Sequence, residues 1–187
     1  MISEFQFRTF YRSKSSTTSI GLFLFIISLS CSSDPQKRPS PLRSDSAIVA
    51  GVNVYVEFSS PAVKNRLIFG TEAEPLVPYG ELWRTGANNA TFISISNHLN
   101  VDTFQLDSGT YSIFTIPNSD EWTVIFNQEW DQWGSYNYKD SLDVFRLNVI
   151  PKIVDQSQER MLFYFADDSL KFRWDKVRWS IPFSSLP

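Results

Sequence analysis

Alternation with a period of two is the feature that most constrains this chain. Val52, Val54, Val56 and Phe58 alternate with Asn53, Tyr55 and Glu57, and Val177, Trp179, Ile181 and Phe183 repeat the pattern near the C-terminus. Successive side chains of an extended strand point to opposite faces, so this pattern builds a half-buried sheet and not a helix face of period 3.6. No stretch beyond residue 47 sustains a helical period. Turn formers punctuate the runs: Pro61, Gly70, Asp107-Ser108-Gly109, Pro117-Asn118-Ser119-Asp120, Pro151 and Asp167-Asp168. Strands are expected at 52–58, 91–96, 101–106, 110–116, 121–127, 142–150, 161–165, 170–174 and 177–183, with a further short one at 66–69. About nine short strands with such spacing predict an all-β fold, an antiparallel β-sandwich of jelly-roll type, with a barrel as the second choice.

Sixteen Phe and six Trp give such a sandwich ample apolar area, since burial of one Phe contributes roughly 1.5–3 kcal/mol. The formal charge of −3 offers no basic stripe, which argues against a nucleic-acid partner. A single Cys excludes an internal disulfide and a single His excludes a His-rich metal centre, so neither metal nor cofactor is expected.

The N-terminus reads as a leader. Arg8, Arg12 and Lys14 precede the apolar run IGLFLFIISL, too short to span a bilayer but suited to the hydrophobic region of a signal peptide. Ser28 and Ser30 then lead to Cys31, an order resembling a bacterial lipoprotein signal, although Ser28 stands where Leu is usual. The expected organisation is a signal peptide at 1–30, a lipidated Cys31 followed by a tether to residue 46, and one β-sandwich domain at 47–187. The tether reads SSDPQKRPSPLRSDS from Ser32, too polar and Pro-rich to bury a core. The membrane is thus an expected partner through lipid at Cys31. The acidic body argues against binding to an anionic bilayer by charge.

Two aperiodic segments interrupt the strands. The first, at 78–91, reads PYGELWRTGANNAT and carries Arg84, the only Lys or Arg between Arg66 and Lys139. A guanidinium there can clamp a carboxylate or phosphate, with Asn88 and Asn89 orienting the ligand and Glu81 in support. The alternative is that Arg84 pairs with Glu81 and pins the loop. The second, at 127–138, reads NQEWDQWGSYNY. Trp83, Trp130, Trp133, Tyr136 and Tyr138 lie out of phase with any apolar run, unlike Trp122, Trp174 and Trp179, which read as core. They suit a platform for a glycan or peptide, or else a satellite cluster packing the loop onto its sheet. Paired acids (Asp120-Glu121, Asp167-Asp168, Asp140 with Asp143) sit at turns, where Asp is expected for backbone reasons. His98 reads as an exposed hairpin tip.

At PYGELWRTGANNAT the chain resembles the secreted family known as domain of unknown function 2911. The likeness extends to SSPAVKNRLIFG, SGTYSIFTIP, EWTVIFN, QWGSYNY and RWDKVRWSIPF. The family commonly carries Arg at the position of Ser60, Gly at that of Asn65 and Glu at that of Asn89. The resemblance implies a place in the envelope of a Gram-negative bacterium and implies no activity. Three functions are compatible with these residues: a non-enzymatic binding or interaction module, a structural envelope protein without small ligand, or a glycan-directed hydrolase using Glu81 or a turn carboxylate with Arg84.

Overall fold

A computed structural model describes residues 34–71 and 74–186. The expected signal peptide at 1–30 and Cys31 lie outside the described residues. Beyond them the chain is all-β and mostly antiparallel, and its sheets do not close into a barrel. Six strands form one sheet in the order β1 (Leu42–Val49), β2 (Val52–Ser59), β5 (Thr91–Ile95), β8 (Gly109–Ile116), β9 (Trp122–Asn127), β10 (Asp143–Val149). The second sheet runs β11 (Lys152–Ala166), β12 (Ser169–Ser184), β6 (Leu99–Val101), β7 (Phe104–Leu106). The short pair β3 (Phe69–Gly70) and β4 (Val77–Pro78) is parallel.

Inward residues of both large sheets share one core. Val54, Val56 and Phe58 of β2 and Ile93 and Ile95 of β5 meet Met161, Phe163, Phe172, Trp174 and Ile181 from the other sheet. The alternation therefore predicts the buried face correctly: β2 buries its even positions and β12 buries Val177, Trp179, Ile181 and Phe183.

Besides the longer β11, which begins at Lys152 and not at 161, and the β3–β4 pair in place of a strand at 66–69, the structure differs from the sequence expectations in three places. First, residues 42–46, expected to be tether, belong to β1, which pairs with β2 from Leu42↔Ser59 to Val49↔Val52. Its polar composition is that of an edge strand, which needs only one covered side. Second, 101–106 is a hairpin and not one strand: Asp102, at φ 55°, turns the chain between β6 and β7. Asp tolerates this left-handed conformation, so no Gly marks the turn. Third, 170–174 and 177–183 are one strand. Leu170, Phe172 and Trp174 are buried at even positions, and Val177 onward at odd ones. Asp175, at φ 47°, opens the ladder where the pairing with β11 is irregular. A bulge of this kind inserts one residue and resets the phase.

Candidate functional site

The Arg84 loop hangs from the end of β8. Trp83 and Thr115 exchange both backbone bonds (2.8 and 2.9 Å), so the chain at 83 occupies the ladder position beyond the end of β5. Between Trp83 and Thr91 the backbone leaves the sheet and returns. Thr91 N–H donates to Arg84 O at 3.2 Å, and the Thr91 hydroxyl donates to Thr85 O at 2.7 Å. Thr85 and Asn88 turn through positive φ (50° and 57°). Gly86 passes so close to the end of β2 that a Cβ there would stand 3.1 Å from Ser59 O and 3.1 Å from Thr91 Oγ1. The Asn88 amide donates to Ser40 O and Ser59 Oγ (3.3 and 3.1 Å), so both its bonds fasten the loop to neighbouring chain.

Trp83 departs from its expected place on the surface. It is 7% exposed, stacks on Trp174 at 5.6 Å and 22°, and meets Phe69 and Trp122 edge-on. Its indole N–H donates to Gly86 O at 3.0 Å, so a core ring also closes the loop above it. The isolated bridge to Thr115 fixes the inward direction of this side chain, and one paired residue leaves no periodicity to read.

Arg84 is half-buried. It makes no ion pair with Glu81, which is exposed; the Lys and Arg ion pairs among the described residues are Arg146–Asp143 and Lys171–Asp167. Its Nε is buried and finds no acceptor. Burial lowers its pKa from the ordinary arginine value, partly offset by the Tyr136 phenol. A guanidinium so lowered is still a cation at neutral pH.

Arg84 lines a cavity of about 180 Å³ beneath the loop. Trp83 and Trp174 also line it, with Leu76, Val77 and Pro61 among its apolar walls. A second guanidinium, Arg66, lines it too, held through its Nε to Val63 O (3.1 Å) and one Nη to Ala62 O (2.5 Å). No carboxylate is among the described residues lining the cavity. Trp174 is fully buried, and its Nε1–H has no acceptor. Sequence reasoning missed Arg66 and Trp174 here, because each belongs to a segment with an ordinary structural reading. Only the fold brings them beside Arg84.

The second loop meets the first through backbone. Asn89 and Trp133 form a β-bridge, with Ala90 N–H donating to Gln132 O (3.0 Å) and Gly134 N–H to Asn88 O (2.9 Å). Their side chains do not gather into one cleft. Trp130, 42% exposed, lies edge-on to Phe92 at 5.2 Å and shares a hollow of about 260 Å³ with Asn89 and Arg38. Trp133 and Tyr136 are 55% and 86% exposed, and Tyr136 lines a separate polar hollow of about 440 Å³ with Tyr138. Tyr138 packs against Phe114 (4.9 Å) in a small core with Ala90 and Ile125 on the outer face of the six-stranded sheet. Its hydroxyl donates to Asp143 and accepts from Arg146 (3.0 Å), and burial and the Asp143 carboxylate push the phenol up to about 12. These contacts fasten Tyr138, and the loop with it, to the six-stranded sheet.

The remaining candidates are local. His98 is exposed and its Nδ1 lies 2.9 Å from Asp107. Asp167 and Asp168 turn the β11–β12 hairpin at φ 52° and 48°. Asn65, where the resembling family commonly has Gly, adopts φ 55°, which Asn accepts more readily than most residues. Ser60 is buried and donates to Met161 O at 2.7 Å. A hollow of about 610 Å³ opens along β1, β2, β5 and β8. Its Ser94 and Thr110 hydroxyls bond each other at 2.6 Å, leaving no comparable unpaired donor there.

Comparison with curated proteins and with solved structures returns no match. Comparison with protein families does: the match covers residues 40–183, from just before β1 to the last inward residue of β12, and takes in both loops. The chain therefore belongs to the family described as Protein of unknown function (DUF2911).

Proposed function

We propose that this chain is a non-enzymatic binding module of a Gram-negative cell envelope, anchored by lipid at Cys31, and that it takes an anionic group in the Arg84 cavity. The observation that carries the reading is a half-buried guanidinium whose Nε lacks an acceptor, in a cavity whose described lining holds a second guanidinium and no carboxylate. Buried donors are nearly always partnered in folded proteins, so this one supports a site where a ligand or a water supplies the acceptor, although Arg173 Nε and Trp179 Nε1 are orphaned elsewhere. The leader, Cys31 and the polar segment after it support the anchor. A glycan hydrolase needs two carboxylates flanking the scissile bond, a requirement the described lining does not meet.

A thermal-shift screen of chemically diverse ligands against the wild type and Arg84→Met tests the binding role. The expected result is a ligand that stabilises the wild type and not the variant. A screen in which nothing discriminates the two proteins overturns it. Intact-mass analysis of the membrane fraction tests the anchor: a diacylglyceryl adduct on Cys31 is expected, and an unmodified Cys31 or a mature start elsewhere refutes it.

A further inference from the structure

Resting on that binding role, we infer that the ligand of the Arg84 cavity is a monocarboxylate on a short apolar stem, held jointly by the guanidiniums of Arg84 and Arg66 beside the Trp174 ring. Three observations select this chemistry. Two guanidiniums, Arg84 and Arg66, line the cavity, and the Arg84 Nε and the Trp174 Nε1 are buried without acceptors in residues of that lining. Arg66 keeps one Nη outside its two bonds to Val63 O and Ala62 O. Arg84 donates to no acceptor among the described residues, so its planar fork is available to a planar anion, which it binds through two parallel bonds.

The walls decide between anions. Pro61, Leu76, Val77, Ala87 and the two indole rings make most of the described lining hydrocarbon, and Ser40 carries the one side-chain hydroxyl on it. A phosphate or sulfate presents oxygens on all sides and would leave some of them against hydrocarbon, which is costly. A carboxylate presents its oxygens on one side and its stem on the other. At about 180 Å³ the cavity is smaller than pockets for drug-sized ligands, roughly 300–1,000 Å³, so it accepts a small acid or the end of a longer chain. The shared chemistry is the carboxylate terminus, whether of a free short-chain acid or of a peptide.

The test titrates the full chain, labelled with ¹⁵N, against butyrate, butyramide, a short peptide ending in Ala with free or amidated C-terminus, and inorganic phosphate. The indole N–H resonance that Trp174→Phe removes identifies Trp174. Binding of at least one of the two acids is expected, shifting that resonance because Trp174 lines the cavity. The matching amide should bind about ten-fold or more weakly, because the charge-assisted bonds are lost. Arg84→Met should abolish the shift, and Arg66→Met should weaken it several-fold, with changes in the free protein's spectrum confined to the 62–66 turn that Arg66 fastens. Butyrate binding identifies a free acid as the source, and binding by the free-terminus peptide alone identifies a chain end. Amides that bind as well as acids, phosphate that binds more tightly than either acid, or no movement with any acid overturns the inference. A neutral ligand that nevertheless needs Arg84 would also overturn it, and would leave the broader binding role standing.

Discussion

Replacing Arg84 with Met asks whether this guanidinium stabilises the fold or burdens it. Met keeps an unbranched stem of similar reach and removes the charge and every donor. Two expectations diverge. If Arg84 pins the loop, as a pairing with Glu81 would make it do, its removal leaves loop acceptors unmatched and lowers stability. The geometry gives the other sign: no ion pair to Glu81 and a buried Nε with no acceptor. An unsatisfied buried donor costs about 1–3 kcal/mol, and Met relieves that cost. The loop keeps its own fastenings, the Thr91–Arg84 backbone bond, the Thr91–Thr85 bond and the Asn88 amide, none of which uses the Arg84 side chain. A net gain of about 1–2 kcal/mol follows in the absence of ligand. For a domain of this size each kcal/mol moves Tm by roughly 2–4 °C, so a rise of roughly 2–8 °C is expected in scanning calorimetry. Urea unfolding should show a higher midpoint with an unchanged slope, the sign that stability alone has moved. A Tm lowered by about 3 °C or more at unchanged slope would refute the reasoning and restore the loop-pinning role.

Trp83→Ala should destabilise the fold by about 3–5 kcal/mol in urea unfolding, because the ring is buried against Trp174 and its N–H caps Gly86 O; a loss under about 1 kcal/mol would return Trp83 to the surface. Gly86→Ala should cost about 1–3 kcal/mol, since a Cβ would press on Ser59 O and Thr91 Oγ1 at 3.1 Å, and a neutral result would mean that the loop gives way freely. The Tyr138 phenol sits at about 12, above its ordinary 10.0. The unfolded chain therefore loses this proton first, and the stability it contributes is present below pH 10 and lost as pH rises towards 12. Comparing the pH dependence of wild-type and Tyr138→Phe unfolding should remove that part of the alkaline decline, and identical slopes would contradict the Asp143 contact.

The sequence by itself determined which face of each long strand is buried, because period-two patterning survives any arrangement of the sheets. It also separated Trp122, Trp174 and Trp179 as core, and marked 78–91 and 127–138 as irregular. Where one residue acts alone, the pattern had nothing to repeat. Asp102 and Asp175 turn or reset strands through positive φ without a Gly, and Trp83 enters the core through a single bridge. The polar run 42–46 became an edge strand because β2 offered it a partner. Arg84 was legible as an oddity, but its cavity was not. Arg66, Trp174 and Arg84 lie far apart along the chain, and their meeting depends on how the β3–β4 pair, the loop and β12 pack. Chain spacing records which groups are present, whereas only tertiary packing decides which donors are left without acceptors.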